Sequence, residues 1–423
     1  MIGSTSLNRI AVIGRGTAGS LAAASVTNQL KGSDCELHHI HDPGIPISGV
    51  GEGSWPSLVD ELRKLTNLPH ESVQKRLNGT RKYGVAFEGW GRLQRDFTHY
   101  FTPQQVSYAY HLSADVMADL LQEGTAARHV DARVLGISRV DGGAQVNLEG
   151  MAPERYDLVF DARGFPKELD PDQHIDIPFI PTNTAIIRRA PAVIRDESAG
   201  AFRQPTYTRA VARPHGWVFV IPLTVHTSYG YIFNRNLSSL DEVNADFDVF
   251  LEADGVTEFE PRAVIPFPNF VHRRIYDGAI ARIGNAAAFM EPLEATAIVS
   301  AQLQIGMVLH IRLGRAPENL ERDAPVVNRF LISTVLRYGL FVGWHYSCGS
   351  RYDTPFWRHA RDHAWPQHRK AAAPEVVGCS ALNKFDDMID LLNQPFIARE
   401  DWYRMCAVPL TSYAQVSQGL GIV

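Results

Sequence analysis

The sequence predicts an α/β fold: a nucleotide-binding lobe, an inserted strand-rich sheet and a helical C-terminal region. Three observations predict it. Ile10-Ala11-Val12-Ile13 reads as a buried strand, runs into Gly14-Arg15-Gly16-Thr17-Ala18-Gly19, and is followed by a helical pattern from Ser20. Residues 165–280 form strand-like runs punctuated by proline, as an inserted sheet would. Residues 314–423 read mainly as helix. The G-x-G-x-x-G spacing between strand and helix has a physical reason. Gly14 permits the tight turn, Gly16 lets a pyrophosphate approach the backbone, and Gly19 lets the helix pack close on the strand. The helix N-terminus offers free N–H groups and a positive dipole end to the phosphates. The first lobe is therefore expected to be Rossmann-like.

The chain has 423 residues, 45% hydrophobic and 21% charged, with a net charge of −5. That describes an ordinary globular protein with ample core and gives no electrostatic reason to expect nucleic acid or an anionic membrane as a partner. Cys35, Cys348, Cys379 and Cys406 are scattered without a C-x-x-C pair, which fits a reducing compartment. Met1 to Arg9 leads straight into the first strand, and no apolar run reaches the roughly 20 residues of a bilayer span. A cytoplasmic location is expected. The expected segments are a nucleotide-binding lobe over 1–165 carrying an insertion, a strand-rich inserted region over 166–280, a return to the lobe over 281–330, and a helical cap over 331–423.

Taken in order, Glu36 to Ile40 reads as the second strand, and Asp42 near its end is the candidate for ribose hydroxyls. His38, His39 and His41 suggest a metal at first sight, but no further ligand is evident nearby, so a structural role and no metal site are expected. The strip Gly49-Val50-Gly51-Glu52-Gly53, followed by Pro56, allows a second close backbone approach. Arg81 to Trp90 alternates as one strand, with Lys82, Gly84 and Ala86 on one face and Val85 and Phe87 on the other. Periodicity alone reads Lys82 as a solvated strand-end lysine. His99-Tyr100-Phe101 follows on a further strand, Ser113 to Gly124 is helical, and a strand pair spans Asp131 to Glu149. The strand Asp157 to Asp161 returns to the first sheet, and Trp217 and Phe219 share one face of a dense apolar strand. The turn Gly284-Asn285-Ala286 leads to Glu291-Pro292-Leu293-Glu294, and a helix runs from about Thr296 to Leu313. Glu294 precedes that helix, where the dipole favours an anion, and the first N–H groups at Thr296 and Ala297 could bind a halide.

Four of these stretches, in this order, together resemble the flavin-dependent tryptophan halogenase family. Gly14 to Gly19 looks like its G-x-G-T-A-G loop, and Gly49 to Glu52 with Pro56 like its second flavin strip. Gly284 through Thr296 is similar to its turn-and-helix motif ending L-E-S-T-G, and Asp353 to Trp357 resembles its D-T-P-F-W turn. The resemblance covers most of residues 8–360. It implies that Lys82 and Glu294 are catalytic and that His99 and Phe101 sandwich the substrate ring. It also implies that FAD is held by Gly14, Gly16, Thr17, Ala18, Gly19, Asp42, Val50, Gly51, Glu52, Trp217, Gly284, Asn285, Pro292 and Leu293. Thr296 and Ala297 would hold chloride or bromide. Reduced FAD and O₂ would convert that halide to hypohalous acid, relayed to Lys82 and passed to an electron-rich ring such as an indole.

The departures are specific. Phe219 stands where the family's W-x-W-x-I-P signature has its second tryptophan, and Ala295 and Ala297 replace serine and glycine. These keep a flavin-dependent monooxygenase open as the alternative. No counterpart of the family's C-terminal substrate-gripping aromatics is found beyond Trp402, which argues against free tryptophan as substrate. Arg15 replaces a glycine of the loop, with its side chain expected in solvent. No second glycine fingerprint follows a strand downstream, so a separate NAD(P)H-dependent flavin reductase is the expected partner. A homodimer is one option for assembly.

Overall fold

The computed structural model describes residues 7–46, 51–102, 106–192, 207–314, 319–370 and 408–422. Val50 and Trp402 lie outside the described residues. The helices are α1 (Thr17–Gln29), α2 (Ser57–Thr66), α3 (His70–Arg76), α4 (Ala114–Glu123), α5 (Leu240–Ala253), α6 (Thr296–Gly314), α7 (Leu320–Tyr346), α8 (Pro355–Lys370) and α9 (Leu410–Leu420).

The strand Arg9–Ile13 is central to a five-stranded parallel sheet, flanked by Leu158–Asp161 and Glu36–His41, with Ile280–Arg282 and Arg128–Asp131 at the edges. A parallel sheet needs both faces covered, and this one is. Ile10 and Val12 point into the main core with Leu21 and Val26 of α1. Ala11 and Ile13 point the other way, onto Ala144 and Val146 of a small antiparallel sheet built from residues 134–156. The chain thus leaves the parallel sheet after Asp161 and returns to it at Ile280.

Between those points it builds most of a seven-stranded sheet in the order 260–266, 184–191, 226–233, 216–222, 207–213, 84–88, 97–100. Trp217, Phe219 and Ile221 face the main core, while Val218 and Val220 face α5, the alternation expected of a strand covered on both sides. Gly230 sits opposite Phe219, and a Cβ there would collide with the phenyl ring at 2.1 Å, so the glycine makes room for that aromatic.

The single strand expected over Arg81 to Trp90 is two. Thr80–Lys82 pairs with Ala109–Ser113 in a three-stranded sheet with Gly51–Gly53, whereas Gly84–Glu88 joins the seven-stranded sheet. Lys82 is correspondingly 1% exposed rather than solvated. The expected Asp353 to Trp357 turn is a helix entry: Pro355 begins α8, Thr354 Oγ1 donates to the Pro214 carbonyl, and the Trp357 indole N–H donates to the Arg213 carbonyl. Helices α6 and α7 are long and apolar enough for a membrane span by length and composition, a stronger apolar signal than the sequence reading allowed. Their side chains instead belong to the main core.

Candidate active site

The glycine turn is built as its spacing requires. Gly14 has φ of +99°, a left-handed conformation, and a Cβ there would press on the Ala162 carbonyl at 2.6 Å. A Cβ at Gly19 would lie 1.9 Å from the Gly14 carbonyl oxygen, whereas one at Gly16 would meet nothing within 4 Å. Gly14 and Gly19 are therefore required by closeness of chain to chain, and Gly16 leaves open space in front of a helix end. At that end Gly16 supplies no side-chain cap and the first turn of α1 has no acidic residue, so its N–H groups face outward unpaired by side chains. His39 supports the turn from beneath, its Nε2 2.9 Å from the Gly14 carbonyl. Burial keeps His39 neutral, lowering its pKa to about 4. His38 bonds to the Tyr156 hydroxyl, and no group of three potential metal ligands occurs among the described residues. Arg15 lies at the surface, where it is ion-paired to Asp119 of α4 at 2.7 Å.

The second and third glycine segments converge on this turn. Thr17 Oγ1 donates to Glu52 at 3.3 Å, and burial raises the Glu52 carboxyl to about 7. A Cβ at Gly284 would lie 2.5 Å from Ala18 Cβ, which seats the Gly284–Ala286 turn on α1. The Gly284 N–H donates to Gln304 of α6. Asn285 is half-buried beside it, Pro292 is exposed and Leu293 is enclosed. Asp42 follows its strand and accepts from the Gly44 N–H, closing a turn. Trp217 is 1% exposed and packs against Trp90.

The strand Gly51–Gly53 carries the chain from that turn to Lys82. Gly51 donates to Ser228 Oγ, and a Cβ at Gly53 would lie 2.9 Å from Lys82 Nζ and 3.5 Å from both Ala295 Cβ and Thr208 Oγ1. Gly53 is therefore the gap through which the lysine reaches. Lys82 Nζ lies 5.3 Å from the Phe101 ring centroid. Burial lowers the lysine to about 8, partly opposed by the charge of Glu294.

Glu294 is 2% exposed. His99 Nδ1 lies 3.1 and 3.2 Å from its two oxygens, and His345 Nε2 lies 3.0 Å from Oε1. The Trp55 indole N–H holds the Glu294 backbone carbonyl at 2.7 Å. Burial would raise this carboxyl, but the two histidines outweigh it and hold it well below the usual carboxylate range. Ala295 then adopts φ of +54°, and α6 begins at Thr296, which is buried, with Ala297 exposed. Lys82, Glu294, His99 and Phe101 thus meet in one place, beside Gly53, the residue after the Glu52 that touches the glycine turn.

The family model for tryptophan halogenase matches residues 9–106 and 102–376. The chain belongs to the tryptophan halogenase family. Halogenases of this family are flavin-dependent enzymes. Among curated relatives, the tryptophan 7-halogenase RebH of Lentzea aerocolonigenes is 24% identical, with 84% of this chain and 79% of that one covered. The tryptophan 6-halogenase SttH of Streptomyces toxytricini is 26% identical over 85% and 82%. The solved structure of SttH superposes with a TM-score of 0.80, covering 98% of this chain and 90% of that one at 21% identity. Xcc4156, a flavin-dependent halogenase from Xanthomonas campestris, superposes at 0.79 with 22% identity, covering 99% and 89%.

Sequence reading missed several halogenase-site neighbours. His345 and Trp55 are the direct partners of Glu294. Tyr346 donates to Glu291 at 2.7 and 2.9 Å, and burial raises that second carboxyl to about 7. His111 lies behind Lys82, bonded to Thr80 and Thr208, and burial and the lysine's charge keep it neutral. A usable signal did exist for His345: a single imidazole inside the apolar run Leu340 to Tyr346 requires a partner.

Proposed function

We propose that this halogenase attaches chloride or bromide to an electron-rich aromatic ring such as an indole, at a site formed by Lys82, Glu294, His99 and Phe101. The supporting observation is a buried lysine beside Gly53 that senses the charge of a buried glutamate held by two histidines. FAD fits the glycine turn, on the other side of the Gly51–Gly53 strand. The uncapped N-terminus of α1, the space before Gly16, and the approach of Glu52 and Gly284 suit a pyrophosphate and a ring system. Bound and reduced, FAD would with O₂ supply the two-electron oxidation of halide to hypohalous acid.

The chain's own groups then set the chemistry. The first N–H groups of α6, at Thr296 and Ala297, would hold halide, since a backbone donor survives the Gly-to-Ala difference. Lys82 would hold the oxidant, as an ammonium donating a hydrogen bond or as an amine carrying halogen; both states are accessible near pH 8. His99 and Phe101 would orient the ring, and Glu294 would face the positive charge that develops on it. A separate NAD(P)H-dependent reductase would supply reduced flavin.

The test is purified protein with FAD, a flavin reductase, NADH and bromide, offered indoles, phenols and pyrroles. A product with a two-peak bromine isotope pattern is expected. A product heavier by one oxygen would instead establish the monooxygenase reading, which Phe219 in place of tryptophan favours.

A further inference from the structure

We propose that Gln415 of α9 is a positioning residue: its amide fills the open edge of the strand that carries His99, and so holds His99 and Phe101 in place beside Glu294 and Lys82. The inference rests on reading His99 and Phe101 as the residues that orient the substrate ring.

The strand Phe97–Tyr100 is the last of the seven-stranded sheet, so one of its sides has no neighbouring strand. Phe101 donates its N–H inward to the Tyr83 carbonyl. Backbone groups alternate along an antiparallel strand, so those of Tyr100 point outward, to the open side. Gln415 takes the place of the missing strand there. Its Oε1 accepts from the Tyr100 N–H at 3.0 Å, and its Nε2 donates to the Tyr100 carbonyl at 3.4 Å, the pair of bonds that a facing residue would make. The N–H belongs to the peptide unit joining His99 to Tyr100, and the carbonyl to the unit joining Tyr100 to Phe101. These are the two units from which the functional side chains hang: His99 reaches Glu294, and Phe101 lies against Lys82.

The helix that delivers this amide is seated by other contacts. Ser417 Oγ accepts from the Trp344 indole N–H at 3.0 Å, and the Arg92 N–H donates to the Leu420 carbonyl at 2.9 Å. A Cβ at Gly419 would collide with the Phe97 ring at 2.3 Å, so the helix lies directly on the strand. Tyr413 packs on Phe341 at 4.7 Å between ring centres, and Phe341 meets the His99 ring edge-on at 5.6 Å. Helix α9 thus supports His99 twice, through its backbone and through its ring. Gln415 itself is only half-buried, so losing its two bonds exposes the Tyr100 groups to water without leaving them stranded in the core. The strand end should loosen while α9 stays docked. A ring lying between His99 and Phe101 is then gripped less firmly, which raises KM more than it lowers kcat.

The test uses the FAD-loaded full chain. Hydrogen exchange is read at the single Tyr100 amide by fragmentation mass spectrometry, and bromination of indole is the second arm. Gln415→Leu keeps the bulk and removes both bonds. Its Tyr100 amide should exchange at least about tenfold faster, KM for indole should rise about tenfold, and kcat should fall by less than about threefold. Gln415→Glu keeps an acceptor for the Tyr100 N–H and should recover the slow exchange and most of the KM. Wild-type exchange in Gln415→Leu, or an unchanged KM, overturns the proposal. So does a Gln415→Glu protein that matches Gln415→Leu in both readings. Wild-type protein that halogenates no indole, phenol or pyrrole would sink the proposed function, while Tyr100 exchange would still decide whether Gln415 holds the strand. If Gln415→Leu does not fold, Gln415→Asn, too short to reach the strand, gives the same two readings.

Discussion

The burial of Lys82 opposes stability. A free lysine titrates near 10.5, and here burial brings it to about 8. Between those values the unfolded chain binds more protons than the folded one, so stability rises with pH across that window. Below pH 8 the whole penalty applies, roughly 3 kcal/mol at about 1.4 kcal/mol per unit. Lys82→Met should therefore stabilise the protein by up to about 3 kcal/mol at pH 7 and by little at pH 10.5, read by urea melts at both. Equal melts would mean that the lysine is not desolvated as the structure has it. This burial was not legible from alternation, because the strand breaks at Tyr83 and Lys82 belongs to a different sheet from Val85 and Phe87. Family resemblance, not periodicity, singled out the lysine. The partner of His345 was not legible for a related reason: it is 51 positions away in sequence, a pairing only the packing of α7 on the Glu294 loop creates.

At the scale of elements, the Gly51–Gly53 strand and the Gly14–Gly19 turn use glycine for opposite purposes, and substitutions should separate them. Gly53→Ala would place a methyl about where Lys82 Nζ must reach, so halogenation should fall at least about tenfold while flavin affinity holds. Steady-state kinetics beside FAD titration checks this, and an unimpaired variant would remove the gap from the mechanism. Gly16→Val has empty space to enter, so it should fold normally and lose FAD. Gly19→Ala forces α1 off the strand and should cost about 2 kcal/mol or more of stability, seen in thermal melts. Equal behaviour of the two variants would contradict the division of roles. The strand–turn–helix order, the return strand and the helix from Thr296 were all legible because each lies within one stretch of chain. The joining of residues 84–100 to a sheet otherwise made by residues 184–266 was not, since strand partners so distant leave no local pattern.

For the molecule as a whole, the parallel sheet with its glycine turn and the seven-stranded sheet share one core, and the Gly51–Gly53 strand links their two sites. Ligand binding at the turn should therefore stabilise the entire fold. Saturating FAD, at about a hundredfold over its dissociation constant, should add about 2.7 kcal/mol and raise the melting temperature in a single transition. The shift should vanish in Gly16→Val. A biphasic melt in which only part of the signal moves would show that the two sheets unfold independently.

The central claim is that flavin chemistry and halogen transfer occur at separate places joined by this chain, with Lys82 at the second. Its most direct measurement compares wild-type and Lys82→Ala protein, each with FAD, reductase, NADH, bromide and indole, recording O₂ uptake and product mass together. The account predicts equal O₂ uptake, with brominated product from the wild type alone. Bromination by Lys82→Ala at the wild-type rate would contradict it.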